Sequence, residues 1–566
     1  VNQRTCIYYE LEDPLEEELL AARQLAGAGA IEIARRGIMW PEKSSTPPEL
    51  PNERDQTFRN PLMAWIEGIR PAFETAGPAS MGFVVDGISL FEIARYKIFF
   101  DLEKSEHRWW VIGTILKNWS PDTVIWVSRS ASATELRELA ALLKSAEERL
   151  PIKLTALANA PSLGRNWPRM KDMLWPHVDM ISRAARSVFH RSQPHNHSGR
   201  QRVLFTEFFS NSVKASLPVA KALSSDSAVE VMWLAARGKV KEKLTECATE
   251  SLLLDDFVSS RTIIRSGGKQ RPSHFKEVFA HCALLGETTC GAGKQKYRAH
   301  IIERVVAAAV RDAARWVGMY RAALEALRPN VVVSTTYSSI PGRAAALVAR
   351  HLNIPTAFLQ HGVYPDEYVW SFFCNDLKIM WGEYERRSLL RNGSLPSSVY
   401  VAGATIYDEL FARAVTQEKM LPEPGTPLKV AFMASRTGGM MSSVPISKVT
   451  LLAVAEAARK LSADLTVKVH PGDSTNIPEE VMADYPEFRV VRSGNSQDVV
   501  MANDLVIVVS STTGHEACVA NRPLIVFNLT GVDGFVSYVQ YQAAVSVTRA
   551  EDLAPTIKRI QSDPNL

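Results

Sequence analysis

Three things are scarce in this 566-residue chain. Cysteine is the first. Cys6, Cys247, Cys282, Cys290, Cys374 and Cys518 lie far apart and none forms a CxxC pair, so reduced thiols are expected rather than a disulfide framework or a zinc site. Long apolar runs are missing too, and no stretch reaches the roughly 18 apolar residues that a membrane-spanning helix requires. Net charge is small, +4 from 65 basic and 61 acidic residues, which removes the global electrostatic signal of a nucleic-acid binder. The opening VNQRTCIYYELEDP has no apolar core followed by a small-residue cleavage site, so it does not read as a secretory leader. The expected address is the cytoplasm, with contact at the inner face of the cytoplasmic membrane left open, and no nucleic-acid partner is expected.

What is present is the composition of a globular protein, 46% apolar and 22% charged, in a chain too long for one core. Three blocks are expected. The first, 1–190, is an α/β region of unassigned role, with a helix at Pro14–Ala26 and short strands in MGFVVDG and DTVIWVSRS. The segment His190–Gln201, HRSQPHNHSGRQ, reads as a linker. In the second block, 202–410, apolar strands such as RVLF, VEVMWLAA, VVVS and TAFL alternate with helical stretches. The third, 425–566, repeats the pattern through KVAFMAS, LTVKVHPGD, FRVV, DLVIVVSS and PLIVFNL. Runs of β-branched residues alternating with helices predict parallel sheets covered on both faces, hence two tandem doubly wound units with a cleft between their carboxyl edges.

The unusual polar clusters all fall where strands end. They are Thr335 and Thr336 after VVVS; Gln360, His361 and Gly362 after AFL; Ser435, Arg436, Thr437 and Gly438 after KVAFMA; His470 and Pro471 after LTVKV; and Ser510, Ser511, Thr512, Thr513 and Gly514 after LVIVV. A strand, a hydroxyl-and-glycine turn and a helix would aim free backbone N–H groups and hydroxyls at one point, the geometry of a phosphate site. The same letters also make an ordinary helix cap. Glu516, on the first turn of the following helix, fits either a ribose diol or a plain first-turn charge. His361 fits a packed histidine, a general base or a phosphate partner. Gly362 beside it would let the chain turn sharply and approach a ligand.

Other features fail as sites. GETTCGAGKQKY, Gly286–Tyr297, has Thr288 where a Walker loop needs glycine. Lys294, Lys296 and Arg298 read as a solvated basic face rather than an anion contact. The linker histidines have no carboxylate or cysteine partners, so no metal is expected.

In their order along the chain, these motifs make about 200–545 resemble the two-domain (GT-B type) nucleotide-sugar glycosyltransferases of bacterial surface polysaccharide synthesis. The nearest groups are the capsule and lipopolysaccharide Kdo transferases, bacterial sialyltransferases and CDP-glycerol glycerophosphotransferases. The non-hydrolysing UDP-N-acetylglucosamine 2-epimerases share the scaffold, though their acidic catalytic set is not placed here. The resemblance implies that His470–Pro471 contacts the nucleotide, that Ser510, Ser511 and Thr512 hold phosphate and that Glu516 binds ribose. His361–Gly362 then matches a His-Gly pair of the N-terminal domain. The expected reaction is transfer of a sugar from a nucleotide-activated donor, CMP-linked by resemblance, to a hydroxyl of a surface glycan or lipid-linked precursor. His361 and His470 are the catalytic candidates, and no cofactor is expected beyond the nucleotide sugar. The alternatives are a 2-epimerase or CDP-polyol phosphotransferase and, from another class, a non-catalytic carbohydrate-binding or assembly subunit.

Overall fold

The computed structural model describes residues 5–10, 16–26, 30–34, 56–75, 84–85, 87–119, 121–127, 153–157, 199–258, 292–364, 367–417, 422, 426–435, 448–471, 473, 475–529 and 538–563. The linker up to 198, the GETTCG stretch and Arg436, Thr437 and Gly438 lie outside them.

The first block contains a four-stranded parallel sheet of order β2-β1-β5-β6, from β1 (Thr5–Tyr9), β2 (Ile31–Ala34), β5 (Thr123–Val127) and β6 (Lys153–Leu157). MGFVVDG contributes only one arm of a two-residue hairpin, β3 (Val84–Val85) with β4 (Ile88–Ser89). The helices are α1 (Glu16–Ala26), α2 (Gln56–Thr75) and α3 (Leu90–Trp119).

The second block builds a seven-stranded, all-parallel sheet of order β13-β12-β11-β10-β7-β8-β9. Its strands are β7 (Gln201–Glu207), β8 (Val229–Ala235), β9 (Leu252–Leu253), β10 (Val331–Ser334), β11 (Thr356–Leu359), β12 (Leu377–Met380) and β13 (Val399–Val401). The helices are α4 (Val213–Ser224), α5 (Gly238–Glu246), α6 (Ala292–Leu327), α7 (Ile340–His351), α8 (Glu383–Arg391) and α9 (Asp408–Thr416). Chain order reverses between β7 and β10, which is where ligands bind in such sheets.

The third block repeats the plan with six parallel strands of order β16-β15-β14-β17-β18-β19. They are β14 (Lys429–Met433), β15 (Asp464–Lys468), β16 (Arg489–Val491), β17 (Leu505–Val508), β18 (Leu524–Phe527) and β19 (Val545–Val547). With them run α10 (Lys448–Lys460), α11 (Ile477–Met482), α12 (Ser496–Ala502), α13 (Thr513–Val519) and α14 (Leu553–Ser562). The switch point here lies between β14 and β17. The expected architecture, two doubly wound units with a further α/β region, is therefore the observed one.

Helices of the first block share a core with the second. Ile66 of α2 and Phe91 and Tyr96 of α3 belong to one buried cluster with Val310 and Trp316 of α6 and Val348 of α7. Buried charges stitch the same junction. Arg343 of α7 is fully buried; its guanidinium pairs with the Glu92 carboxylate and donates to the carbonyls of Glu92, Tyr337 and Phe372. Burial alone would raise the Glu92 carboxyl, but Arg343, Arg95 and Arg70 together hold it below its ordinary value. Removing one member of such a pair costs about 3–5 kcal/mol, because the other is left as an uncompensated buried charge. Cys6, Cys247, Cys374 and Cys518 are free thiols. Among the described residues no helix is long and apolar enough to cross a membrane.

Candidate functional site

β14 and β17 are neighbours at the switch point of the third-block sheet, in register at Met433↔Val508. Two residues beyond that pair, each strand ends in a serine, Ser435 and Ser510. Both Oγ atoms are buried and, among the described residues, neither has a hydrogen-bond partner. Glu516 of α13 is 6% exposed. Its Oε1 accepts from Ser496 Oγ at 2.9 Å, whereas its Oε2 is buried without a partner. Burial raises the Glu516 carboxyl above the ordinary range, against the pull of the Ser496 hydroxyl, Lys214 and Lys468. Two hydroxyls and a carboxyl oxygen thus stand desolvated and unsatisfied at one sheet edge, an arrangement that costs free energy unless something completes it.

The turn before α13 differs from the expected row of free N–H groups. Ser511 Oγ accepts from Thr513 N and from Thr513 Oγ1, Gly514 N donates to Ser511 O, and His515 N donates to Thr512 O. The N–H groups of Thr513, Gly514 and His515 are thus spent locally. Gly514 has a packing role: a Cβ there would come 2.5 Å from the Tyr538 ring. The Tyr538 hydroxyl donates to Ser511 O at 2.8 Å and lies 2.9 Å from His515 Nδ1, which donates to it.

His470 and Pro471 lie exposed just past β15, on the other side of β14 from β17. Lys468, at the end of β15, is 5% exposed and donates to the carbonyls of Val469 and Arg492.

The second-block sheet presents a different edge. Glu207 ends β7 at the switch point and is 1% exposed. Its carboxyl accepts from Ser212 Oγ at 2.6 Å, Ser216 Oγ at 2.5 Å and Thr335 Oγ1 at 2.6 Å. Burial nevertheless raises its pKa. The carbonyl of Thr335 lies 2.6 Å from His361 Nδ1. A carbonyl only accepts, so Nδ1 carries the proton and the neutral ring keeps its lone pair on Nε2. Burial pushes the His361 pKa below its ordinary value, against the pull of that carbonyl.

Thr335, Thr336 and Gln360 were expected to line the cleft. They are 0%, 5% and 2% exposed. Gln360 donates to Gly362 O and Glu385 Oε1, accepts from Trp381 N, and takes the Trp381 indole N–H on its own carbonyl. Gly362 does not have the left-handed backbone that a sharp turn would need, and a Cβ there would meet nothing within 4 Å. The glycine that sterics demand nearby is Gly342, where a Cβ would fall 2.1 Å from the Thr336 carbonyl oxygen.

The two edges face each other. The Trp381 and Tyr407 rings lie 6.0 and 6.4 Å from the His515 ring. Thr405 Oγ1 donates to Ala215 O of α4, and Gln497 Nε2 of α12 donates to Ile406 O. The exposed ammonium of Lys214, on the first turn of α4, acts on Glu516 across the gap. Sequence reasoning missed Glu207, Lys214, Lys468 and Ser496, none of which stands in a recognisable local pattern. Among the described residues no group of three or more His, Cys, Asp or Glu is placed to hold a metal ion.

No family model and no curated protein matches the chain. Among solved structures it is similar to the UDP-GlcNAc 2-epimerase of Neisseria meningitidis bound to UDP-GlcNAc, at 12% identity and a TM-score of 0.45, over 64% of this chain and 92% of that one. It is similar also to the UDP-GlcNAc 2-epimerase of Methanocaldococcus jannaschii, at 14% identity and a TM-score of 0.41, over 63% and 92%. A glycosyltransferase of Rickettsia africae matches at 12% identity and a TM-score of 0.37, over 64% and 89%. The two-sheet fold of this chain rests on its own strand order and register.

Proposed function

We propose that this chain is a nucleotide-sugar enzyme, with the nucleotide phosphate held at the β14/β17 switch point and the sugar directed across the cleft toward His361. The observation that carries the reading is the set of buried polar atoms without partners, Ser435 Oγ, Ser510 Oγ and Glu516 Oε2. Two hydroxyl donors suit phosphate oxygens, and a carboxylate oxygen suits a ribose hydroxyl. Lys214 and Lys468 add positive charge near Glu516. His470 and Pro471 lie exposed at the same edge, where a nucleotide base or ribose would pass. Arg436, Thr437 and Gly438 follow β14 in the chain and remain candidates for the phosphate contact.

Two reactions suit His361 as the base. In glycosyl transfer, Nε2 takes the proton of an acceptor hydroxyl while the nucleotide leaves as an anion stabilised by the serines. The acceptor would be a hydroxyl of a glycan or lipid-linked precursor. In 2-epimerisation, the base removes the proton on C2 as the C1–O bond breaks and the nucleotide leaves as an anion, giving a C1=C2 double bond. A proton is then returned to the opposite face of C2 as the nucleotide adds back at C1, and no acceptor is required. Glu385, a buried carboxyl that accepts from Gln360 beside His361, favours this second reading, since epimerisation needs a proton donor as well as a base.

One experiment tests both layers. The full chain is incubated with CMP-, CDP-, UDP- and GDP-sugars in D2O, and melting temperature and products are followed. A ligand that binds the folded chain alone raises the melting temperature. A shift with one nucleotide, lost in Ser510→Ala and Glu516→Ala, supports the donor site. Deuterium entering C2 of the sugar without an acceptor selects epimerisation; turnover only with a glycan acceptor selects transfer. No shift with any nucleotide would sink the proposal in favour of a non-catalytic assembly or carbohydrate-binding role.

A further inference from the structure

On the far side of the second-block sheet from the cleft, a cavity of about 380 Å³ opens at the amino ends of β12 and β13. One wall comes from the first block, through Arg95 of α3, whose guanidinium lies over the Phe372 ring at 4.4 Å. The other walls carry Arg350 at the end of α7, Lys378 of β12, Asn392 and Ser394 after α8, and Ser398 before β13.

Most of the charge here is already committed. Arg95 is held by Glu67 and Glu92. Asp376, the one carboxylate among the lining residues, accepts from Thr356 N and Oγ1 and pairs with Arg350 at 3.1 Å. Lys378 differs. Its Nζ donates to Ser398 Oγ at 3.1 Å, and among the described residues no carboxylate lies within ion-pair distance of it. The ammonium is half-buried, and its pKa lies below the ordinary value because burial outweighs the pull of Asp376. A half-buried cation among hydroxyls and side-chain amides, in a space at the small end of the usual range of ligand pockets, calls for a small anion that also offers hydroxyls.

We propose that this cavity is a second binding site, for a sugar-sized polyhydroxylated anion carrying a phosphate or a carboxylate. Lys378 takes the charged group, and Ser394 with the side-chain oxygens of Asn392 and Ser398 takes sugar hydroxyls, since the Asn392 amide already donates to Ser388 O and the Ser398 hydroxyl to Leu395 O. The site is distinct from the cleft: Asp376 precedes β12 on the cavity side and Trp381 follows it on the cleft side, about 16 Å apart at strand rise. It stands whether or not the nucleotide reading does. It also gives the first block a role, because Arg95 of α3 supplies one wall of the pocket.

The test is calorimetric titration of the full chain with glucose 6-phosphate, glucuronate, glucose and inorganic phosphate. The expected result is that one charged sugar binds at least about tenfold tighter than glucose and than inorganic phosphate. The phosphate and carboxylate arms then identify the charged group. Lys378→Gln should weaken that binding about tenfold or more, Asn392→Ala should weaken it by less, and Ser510→Ala in the cleft should leave it unchanged. Melting temperature without ligand checks that each variant folds, and Asn392→Ala keeps the test alive if Lys378→Gln does not. The proposal is overturned if none of the four probes binds, if inorganic phosphate binds as well as the charged sugars, if binding ignores both pocket substitutions, or if Ser510→Ala abolishes it.

Discussion

The second- and third-block sheets reach the cleft with the same topology and opposite states. At the β7/β10 switch point the polar groups are complete among themselves: Glu207 has three hydroxyl donors, Gln360 has a partner for its carbonyl and its amide, and His361 is tied to Thr335. At the β14/β17 switch point, Ser435, Ser510 and Glu516 each keep a buried polar atom without a partner. Leaving such a group unsatisfied costs about 1–3 kcal/mol, so a fold retains it where something else returns that energy. One edge is assembled by the protein alone. The other is the one we propose a ligand completes.

The largest effect should come from reversing that difference. Glu207→Ala removes the acceptor of three buried hydroxyls, leaving, among the described residues, Ser212 and Ser216 only a backbone carbonyl each and Thr335 none, and opens a cavity; it should cost about 3 kcal/mol or more of stability. Ser435→Ala and Ser510→Ala remove hydroxyls that have no protein partner. They should leave the unliganded chain unchanged or stabilise it by up to about 1 kcal/mol, while weakening nucleotide binding about tenfold each. Denaturant melts of the three variants beside the native chain give the first quantity, and titrations the second. A neutral Glu207→Ala together with a strongly destabilising Ser510→Ala would invert the comparison.

The asymmetry shows what could be read in the sequence. Both sheets were legible because buried parallel strands are near-continuous apolar runs; VVVS became β10 and LVIVV became β17 within a residue or two. The positions of His361 and Glu516 followed, since strand exits in this architecture face the cleft. Satisfaction was not legible. Glu207 reads as one acid in RVLFTEFFSNS, and its partner Thr335 lies 128 residues away. Ser212 looks like a helix cap, yet its hydroxyl goes to Glu207. Local sequence does not show that the N–H groups of Thr513, Gly514 and His515 turn back onto Ser511 and Thr512. The docking of the first block was hidden for the same reason, with Glu92 and Arg343 separated by 251 residues.

A smaller, pH-dependent effect sharpens the picture at Glu516. Burial raises its pKa above the ordinary 4.5, so the folded chain keeps a proton that the unfolded chain has released. Its contribution to stability is therefore largest below pH 4.5 and falls as pH rises toward the raised value. A ribose diol donating to Oε2 favours the charged form, so binding expels the proton and affinity rises with pH over that window. Glu516→Gln should flatten the dependence. Titration of the nucleoside against its 2′,3′-dideoxy analogue checks it, because the analogue should bind weakly and without the slope. An equal slope for both would remove Glu516 from the ribose. His361 runs the other way: its pKa is lowered by burial, so turnover that needs the neutral ring persists below pH 6.5 and fails only in stronger acid.

The smallest expected change is at Gly362, and its size carries the information. The residue follows His361, has no left-handed backbone, and a Cβ would meet no atom within 4 Å. Gly362→Ala should therefore move stability by less than about 0.5 kcal/mol, as for a surface position. If the open space beside His361 belongs to the substrate, the added methyl must compete with it, raising KM or lowering kcat while the melting temperature stays put. A fall in melting temperature would show that the glycine is held for the backbone. Unchanged kinetics together with unchanged stability would place the sugar elsewhere in the cleft and leave His361 without a substrate to act on.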